Sequence, residues 1–199
     1  MTILNLAIIG YGLIGKKRHE NMFRSKLIAL KDLNFKNIKF KNKFENYDDI
    51  IENPNIDAVV ICTTHSSLYN LSIKALKKNK HVFVEKPGSI SEKQLKHLIF
   101  FAEKKKLVLF IGYNMRYHPA IEKSYELFKK NYLGKLMYIK ISYGHGGRVN
   151  YGKEWRFDKK ISGGGELIDK GSHLIDLSIM FLGKFKKIQK NLKNYFWHK

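Results

Sequence analysis

The chain has 199 residues, with 38 Lys+Arg against 17 Asp+Glu, a formal net charge of +21. Its apolar fraction of 44% and aromatic fraction of 13% can pack a core and exclude a disordered tail. The length accommodates one full domain and a modest second one, not two large ones. The single cysteine, Cys62, excludes an internal disulfide framework and fits a reducing compartment. No apolar run approaches the roughly 20 residues that a membrane span needs. Lys16, Lys17 and Arg18 follow the apolar start instead of preceding it, unlike a signal peptide, so the cytoplasm is the expected location.

The positive charge raises the question of a nucleic-acid partner. Lysine supplies nearly all of it and is spread over the whole chain. Only Arg18, Arg24, Arg116, Arg148 and Arg156 offer the bidentate fork that base and phosphate recognition favours. The excess therefore reads as composition, and neither a nucleic acid nor a membrane is the expected partner.

In chain order, Ile3–Ile9 is a short apolar run without alternation, as a strand buried on both faces requires. Gly10-Tyr11-Gly12-Leu13-Ile14-Gly15 follows, then a polar helix from Lys16 to about Phe23. Leu27–Leu30 is a second strand closing on Asp32, and Tyr47–Glu52 a short helix broken at Asn53-Pro54-Asn55. Ala58–Cys62 is a third strand, Leu68–Lys78 a helix, and His81–Val84 a fourth strand. Ser91-Glu92-Lys93-Gln94 has the form of a capping box opening a helix to about Lys105. Leu107–Ile111 is a fifth strand. Strands alternating with helices predict a doubly wound parallel α/β sheet. After Pro119 the pattern changes. A helix over Ala120–Lys130, a strand over Leu136–Tyr143, an apolar helix over Glu166–Phe181 stopped by Gly183, and a last strand from about Phe185 are expected. The expected division is a cofactor domain over 1–117 and a partial α/β (α+β) domain over 118–199.

Three features carry chemistry. The Gly-x-Gly-x-x-Gly pattern sits between a strand and a helix, the context that makes it a dinucleotide fingerprint. Gly10 permits the turn, Gly12 lets a pyrophosphate approach the backbone, and Gly15 lets helix and strand pack, with Tyr11, Leu13 and Ile14 between them. Asp32, 22 residues after Gly10, can accept hydrogen bonds from ribose hydroxyls, which favours NAD over NADP while leaving NADP open. Glu85-Lys86-Pro87 ends the fourth strand, where a lysine can reach a substrate oxygen in the crevice. Asp169, His173 and Asp176 share one helix face, and histidine is suited to proton transfer near neutral pH. No zinc-type spacing accompanies them, so no metal is expected.

These residues resemble the glucose–fructose oxidoreductase/inositol dehydrogenase/MocA (Gfo/Idh/MocA) family. The resemblance rests on the glycine motif, Thr63-Thr64-His65, Glu85-Lys86-Pro87 and Gly112-Tyr113-Asn114-Met115-Arg116-Tyr117-His118-Pro119. It continues through Trp155-Arg156 and the stretch from Gly163-Gly164-Gly165 to Asp176. It implies a Rossmann domain followed by an α/β domain with an open sheet, and NAD(P)-dependent hydride transfer at a hydroxyl-bearing carbon of a sugar, inositol or nucleotide sugar. It implies Lys86, Asp169 and His173 as the catalytic group, with Thr63, His65, Glu85 and Lys86 also lining the cofactor. Asn114, Arg116, Tyr117, Trp155, Arg156, Asp169 and His173 would line the substrate pocket. Thr64 replaces the usual Pro, and the segment 33–47 is short for the usual helix. Family members are considerably longer, so the second domain's sheet is expected to be incomplete, with exposed edges and an apolar face that invite self-association. A decayed, non-catalytic family member and a basic nucleic-acid-binding module are the alternatives.

Overall fold

A computed structural model describes residues 3–34, 38–144, 147 and 149–193. The chain divides into two compact units at the Gly112–Tyr113 junction.

The first unit is built on five parallel strands, β1 (Leu4–Ile9), β2 (Ser25–Lys31), β3 (Ala58–Ile61), β4 (His81–Glu85) and β5 (Leu109–Gly112). Their order is β2-β1-β3-β4-β5. Ala7, Ile8 and Ile9 of β1 and Val59 and Ile61 of β3 are buried, which is why these strands read as unbroken apolar runs. Helices α1 (Leu13–Glu20), α2 (Tyr47–Glu52), α3 (His65–Lys77) and α4 (Glu92–Lys104) connect the strands. In α3, His65, Leu68, Leu71, Ser72, Ala75 and Leu76 are buried, the spacing of one helix face. The core joins β1, β3 and β4 to α2, α3 and α4 through Ile50, Ile51, Leu68, Leu76 and Leu98.

The short segment after β2 solves the sheet's edge without a full strand. Lys43 forms a parallel bridge to Leu30. Leu30 donates its N–H to Asn42 O, and Phe44 donates to Leu30 O. This single bridge occupies the place beside β2 that a longer strand fills in the six-stranded dinucleotide fold. The order then reverses between β1 and β3, which makes their carboxyl ends the topological switch point.

Sequence expectation and structure part at the capping box. Ser91 is the N-cap of α4, but its side chain makes no cap hydrogen bond, and Gln94 Oε1 is buried without a partner. The Ser89 hydroxyl organises the turn instead, donating to Ser91 O at 2.7 Å.

The second unit opens with a 3₁₀ turn over Asn114–Tyr117 and α5 (Pro119–Lys129). His118 caps α5, its Nδ1 accepting from Ala120 N at 3.3 Å. Two short 3₁₀ turns (Tyr151–Lys153, Trp155–Phe157) and α6 (Lys159–Ser162) follow. The apolar helix expected over Glu166–Phe181 begins as a π-helical turn, Leu167–Gly171, and continues as α7 (Ser172–Leu182). Gly183 ends it at φ 77°. Tyr125 and Phe128 of α5 pack on Phe181 of α7, with ring centroids 5.3 and 5.5 Å apart.

The strands expected over Leu136–Tyr143 and from Phe185 are absent among the described residues. A strand is defined by a partner, and no described segment runs hydrogen-bonded beside either stretch. Met137, Tyr138, Ile188 and Leu192 are all more than half exposed there. Tyr195-Phe196-Trp197-His198-Lys199, Lys36 and Arg148 lie outside the described residues.

Candidate functional site

In the first unit the candidate site lies at the carboxyl ends of β1 and β3. Gly10 has φ 91°, and a Cβ there would stand 2.6 Å from Cys62 O. A Cβ at Gly15 would stand 2.1 Å from Gly10 O, so α1 can start this close to the strand only without one. Gly12 is the opposite case. It is the N-cap of α1 with φ −70°, and an added Cβ would meet nothing within 4 Å. Two glycines are thus demanded by packing, while the middle one keeps space open over a helix N-terminus. That first turn carries no acidic side chain, so its free N–H groups and positive dipole end favour an anion.

Asp32 lies against this loop. Its Oδ2 accepts from Tyr11 N at 2.6 Å, and Oδ1 accepts from Asn34 N at 2.8 Å. Each carboxylate oxygen retains acceptor capacity for a hydroxyl. Lys31, adjacent in sequence, is buried, with its ammonium 5.7 Å from the Tyr47 ring centroid. The Tyr11 hydroxyl hydrogen-bonds His19 Nδ1 at 2.5 Å. Thr63 Oγ1 accepts from the Ser67 hydroxyl at 2.7 Å, and His65 is buried at the start of α3. This set of residues fits a dinucleotide: open space at a helix N-terminus for the pyrophosphate, and a carboxylate beside it for a ribose.

Glu85 is paired with an arginine of α1. Arg18 of α1 reaches it with Nε at 2.7 Å and Nη2 at 2.6 Å, while stacking over Phe83 at 4.8 Å. Burial pushes the Glu85 carboxyl up, and the Arg18 charge opposes this. Its carboxylate also lies where a Cβ on Gly112 would come within 3.1 Å. Burial, with Glu85 adding to it, pushes the Cys62 thiol up to about 12, so that sulfur is a poor nucleophile. Lys86 follows β4, half-buried, with a cis bond to Pro87.

In the second unit, Asp169 and His173 are buried, at 8% and 7% exposure, on a stretch that is mostly apolar. Each carboxylate on this stretch is held by its own arginine. Asp176 takes both arms of Arg116, at 2.7 Å from Nε and 2.6 Å from Nη2. Asp169 Oδ2 accepts from Arg156 Nε at 2.9 Å, while Arg156 Nη1 donates to Glu154 at 2.9 Å and the guanidinium stacks on Trp155. The Tyr113 ring meets the His173 imidazole edge-on at 5.9 Å. Burial, with Asp176 nearby, pushes the Tyr113 hydroxyl up. Asn114 and Tyr117 sit on the 3₁₀ turn that presents Arg116, and Tyr117 is 57% exposed.

Comparison with known proteins gives the same picture. Residues 4–113 match the family model described as "Oxidoreductase family, NAD-binding Rossmann fold", and residues 121–198 match the GFO/IDH/MocA C-terminal domain. The chain belongs to the Gfo/Idh/MocA family. Levoglucosan dehydrogenase from Pseudarthrobacter phenanthrenivorans is 26% identical over 158 residues, 78% of this chain and 40% of the relative. Myo-inositol 2-dehydrogenase from Thermotoga maritima is 29% identical over 149 residues, 70% of this chain and 45% of the relative. A solved levoglucosan dehydrogenase, in complex with NADH and levoglucosan, shares the fold with a TM-score of 0.79 at 24% identity. It covers 92% of this chain and 54% of that one. The chain spans about half the length of the curated relatives it matches.

Within this Gfo/Idh/MocA chain, the glycine loop, Asp32 and Thr63 come together in the first unit. Asp169, Trp155 and Arg156 come together in the second. Sequence reasoning missed Arg18, Glu154, Tyr151, Glu166 and Lys170 as organisers of these groups. Glu166 and Lys170 carried a legible signal, the i, i+4 spacing of opposite charges. Arg18 and Glu85 are 67 residues apart and carried none. Among the described residues, no three of His, Cys, Asp and Glu cluster as a metal site would need, and no helix is long and apolar enough to cross a membrane.

Proposed function

We propose that this chain carries the cofactor-binding and proton-transferring parts of an NAD-dependent dehydrogenase acting on a hydroxyl-bearing carbon of a sugar or polyol. The observation that carries this reading is the open position at Gly12, framed by the tight approaches at Gly10 and Gly15 and flanked by Asp32. The names of the levoglucosan and myo-inositol dehydrogenases support the substrate class.

NAD, when bound, would accept the hydride. The chain's own residues do the rest. Gly10 to Gly15 hold the pyrophosphate, with Tyr11, Leu13 and Ile14 shaping that loop. Asp32 holds the adenosine ribose and disfavours a 2′-phosphate, which selects NAD over NADP. Thr63, His65 and Glu85 shape the remaining cofactor wall, Glu85 through its hold on Arg18 of α1. Lys86 donates to the substrate hydroxyl oxygen and polarises it. His173 takes the proton that this hydroxyl loses as its carbon becomes a carbonyl, a task for which imidazole is suited near neutral pH. Asp169 orients the substrate or His173. Asn114, Tyr117 and Trp155 border the substrate. Arg116 and Arg156 fix Asp176 and Asp169 through two nitrogens each, and the N–H groups left over on each guanidinium border the substrate.

On this reading residues 1–117 form the cofactor domain and also lend Lys86, Asn114 and Tyr117 to the substrate, 118–199 form a partial substrate domain, the work proceeds in the cytoplasm, and copies associate through a sheet completed in the second domain. The test is titration of the folded chain with NADH and NADPH by intrinsic fluorescence, then turnover of NAD over a panel of sugars and inositols. NADH should bind more tightly than NADPH, and Lys86→Ala and His173→Ala should abolish turnover while leaving NADH binding in place. A folded chain that binds neither dinucleotide overturns the reading.

A further inference from the structure

Asp169 has a second cation that the scheme above leaves unused. Lys170 Nζ stands 3.8 Å from Asp169 Oδ2, and the Lys170 side chain is only 13% exposed. Adjacent residues on a helix do not face each other, so this approach needs a cause. The cause is a set of contacts that draws the ammonium back across the π turn. Lys170 Nζ donates to the Tyr151 hydroxyl at 2.9 Å and to Glu166 one turn earlier. Tyr151 is itself buried, donates to Glu166 Oε1 at 2.5 Å, and is braced edge-on by Phe157 at 5.1 Å.

The result is a line of alternating charge, Glu154–Arg156–Asp169–Lys170–Glu166, closed by Tyr151. Arg156 faces Asp169 from the turn at Trp155–Phe157, and Glu154, which precedes that turn, holds Arg156. Lys170 and Glu166 belong to its own turn, Tyr151 to the turn at 151–153, and His173 lies four residues on. Arg156 supplies direction through a hydrogen bond. Lys170, at 3.8 Å, supplies charge.

We propose that Lys170 is a positioning residue for Asp169, holding its carboxylate ionised, and that Glu166 and Tyr151 set how much of the Lys170 charge Asp169 receives. This rests on the reading of Asp169 as a site residue. It makes the Asp169 ionisation adjustable by Glu166 and Tyr151, two residues that contact each other and Lys170.

The test follows the Asp169 carboxyl carbon by NMR through a pH titration of the cofactor-free chain, its signal identified by loss in Asp169→Asn. In Lys170→Met the midpoint should rise by about 1 unit or more, because a nearby cation is removed. Lys170→Arg should restore it. Glu166→Gln should move it the other way, downward, because a like charge is removed while Lys170 remains. A merely structural role would move both variants in one direction or neither. An unchanged midpoint in Lys170→Met, or an upward shift in Glu166→Gln, overturns the proposal. Should Lys170→Met fail to fold, the sign in Glu166→Gln decides alone. Absence of NADH binding would overturn the dehydrogenase reading and leave these midpoints intact, so the two failures are distinguishable.

Discussion

Single residues in the glycine loop divide between holding the fold and admitting a ligand. Gly15→Ala would force a Cβ to 2.1 Å from Gly10 O and should cost about 1–3 kcal/mol or prevent folding. Gly12→Ala places its methyl in open space at an ordinary φ, and should cost less than about 1 kcal/mol by thermal unfolding. The same variant should weaken NADH binding at least tenfold, because the methyl stands where the pyrophosphate must approach. Equal NADH affinity in Gly12→Ala and the parent would mean the space serves something else. The Arg18–Glu85 pair makes a second prediction at this scale. Folding raises the Glu85 pKa, so the folded state holds more protons and this group's contribution to stability falls as pH rises through the interval. Arg18→Met removes the opposing charge and widens that interval. Its melting temperature should therefore lie further below the parent at pH 7.5 than at pH 5. A deficit independent of pH would show that Arg18 acts through packing on Phe83.

Among the elements, the five strands were legible because each is a short apolar run, and burial on both faces of a parallel sheet demands that pattern. Their ends were legible within a residue or two, since turn residues follow each run. The π turn at Leu167–Gly171 was not legible. Its widened hydrogen bonding leaves apolar spacing nearly helical, and only the buried Asp169 and the Tyr151–Glu166–Lys170 contacts reveal what it positions. In that cluster burial pushes the Glu166 carboxyl up, but its bonds to Lys170 and Tyr151 outweigh this and hold it below the usual range. Burial lowers Lys170, and its bonds to Glu166 and Tyr151 more than restore it. The stability this pair adds is therefore lost as pH falls through the Glu166 folded pKa, and again as pH rises through that of Lys170. Lys80 ties the start of β4 to the loop before β3, its ammonium donating to Asn53 O at 2.7 Å and Ile56 O at 2.6 Å. Lys80→Met keeps the stem and removes both donors, and should cost about 1–3 kcal/mol in chemical denaturation. A smaller loss would mean that water replaces the ammonium.

For the whole molecule, apolar burial is uneven. The core cluster draws all its members from residues 7–102, in the first unit. In the second unit, Tyr151 and Leu177 are the buried apolar residues among those described, while Ile175, Ile179 and Leu182 of α7 are 39–49% exposed. Because hydrophobic stabilisation scales with area removed from water, the second unit should open first. Limited proteolysis should cut within residues 132–144 before any site in the first unit, and the protected amino-terminal fragment should retain NADH binding. Simultaneous loss of both units would show that they unfold together.

The sequence by itself determined the parallel sheet, the dinucleotide fingerprint and the family, because these rest on local apolar runs and on glycines whose backbone needs are local. Its spacing also predicts Asp169, His173 and Asp176 on one helix face, although the structure winds Asp169 into a π turn ahead of the helix that carries the other two. It could not separate the glycine that leaves space from the two that prevent a clash, since that depends on Cys62 and Gly10 atoms brought close by the sheet. The tertiary structure shows a first unit that buries its own core and a second whose extended segments have no strand partner among the described residues. Only the tertiary structure assigned each charged side chain its partner. Arg18 meets Glu85, Arg116 meets Asp176, and Asp169 lies between Arg156 and Lys170. Coulombic pairing depends on distance in space, and spacing along the chain reports that distance only within a helix.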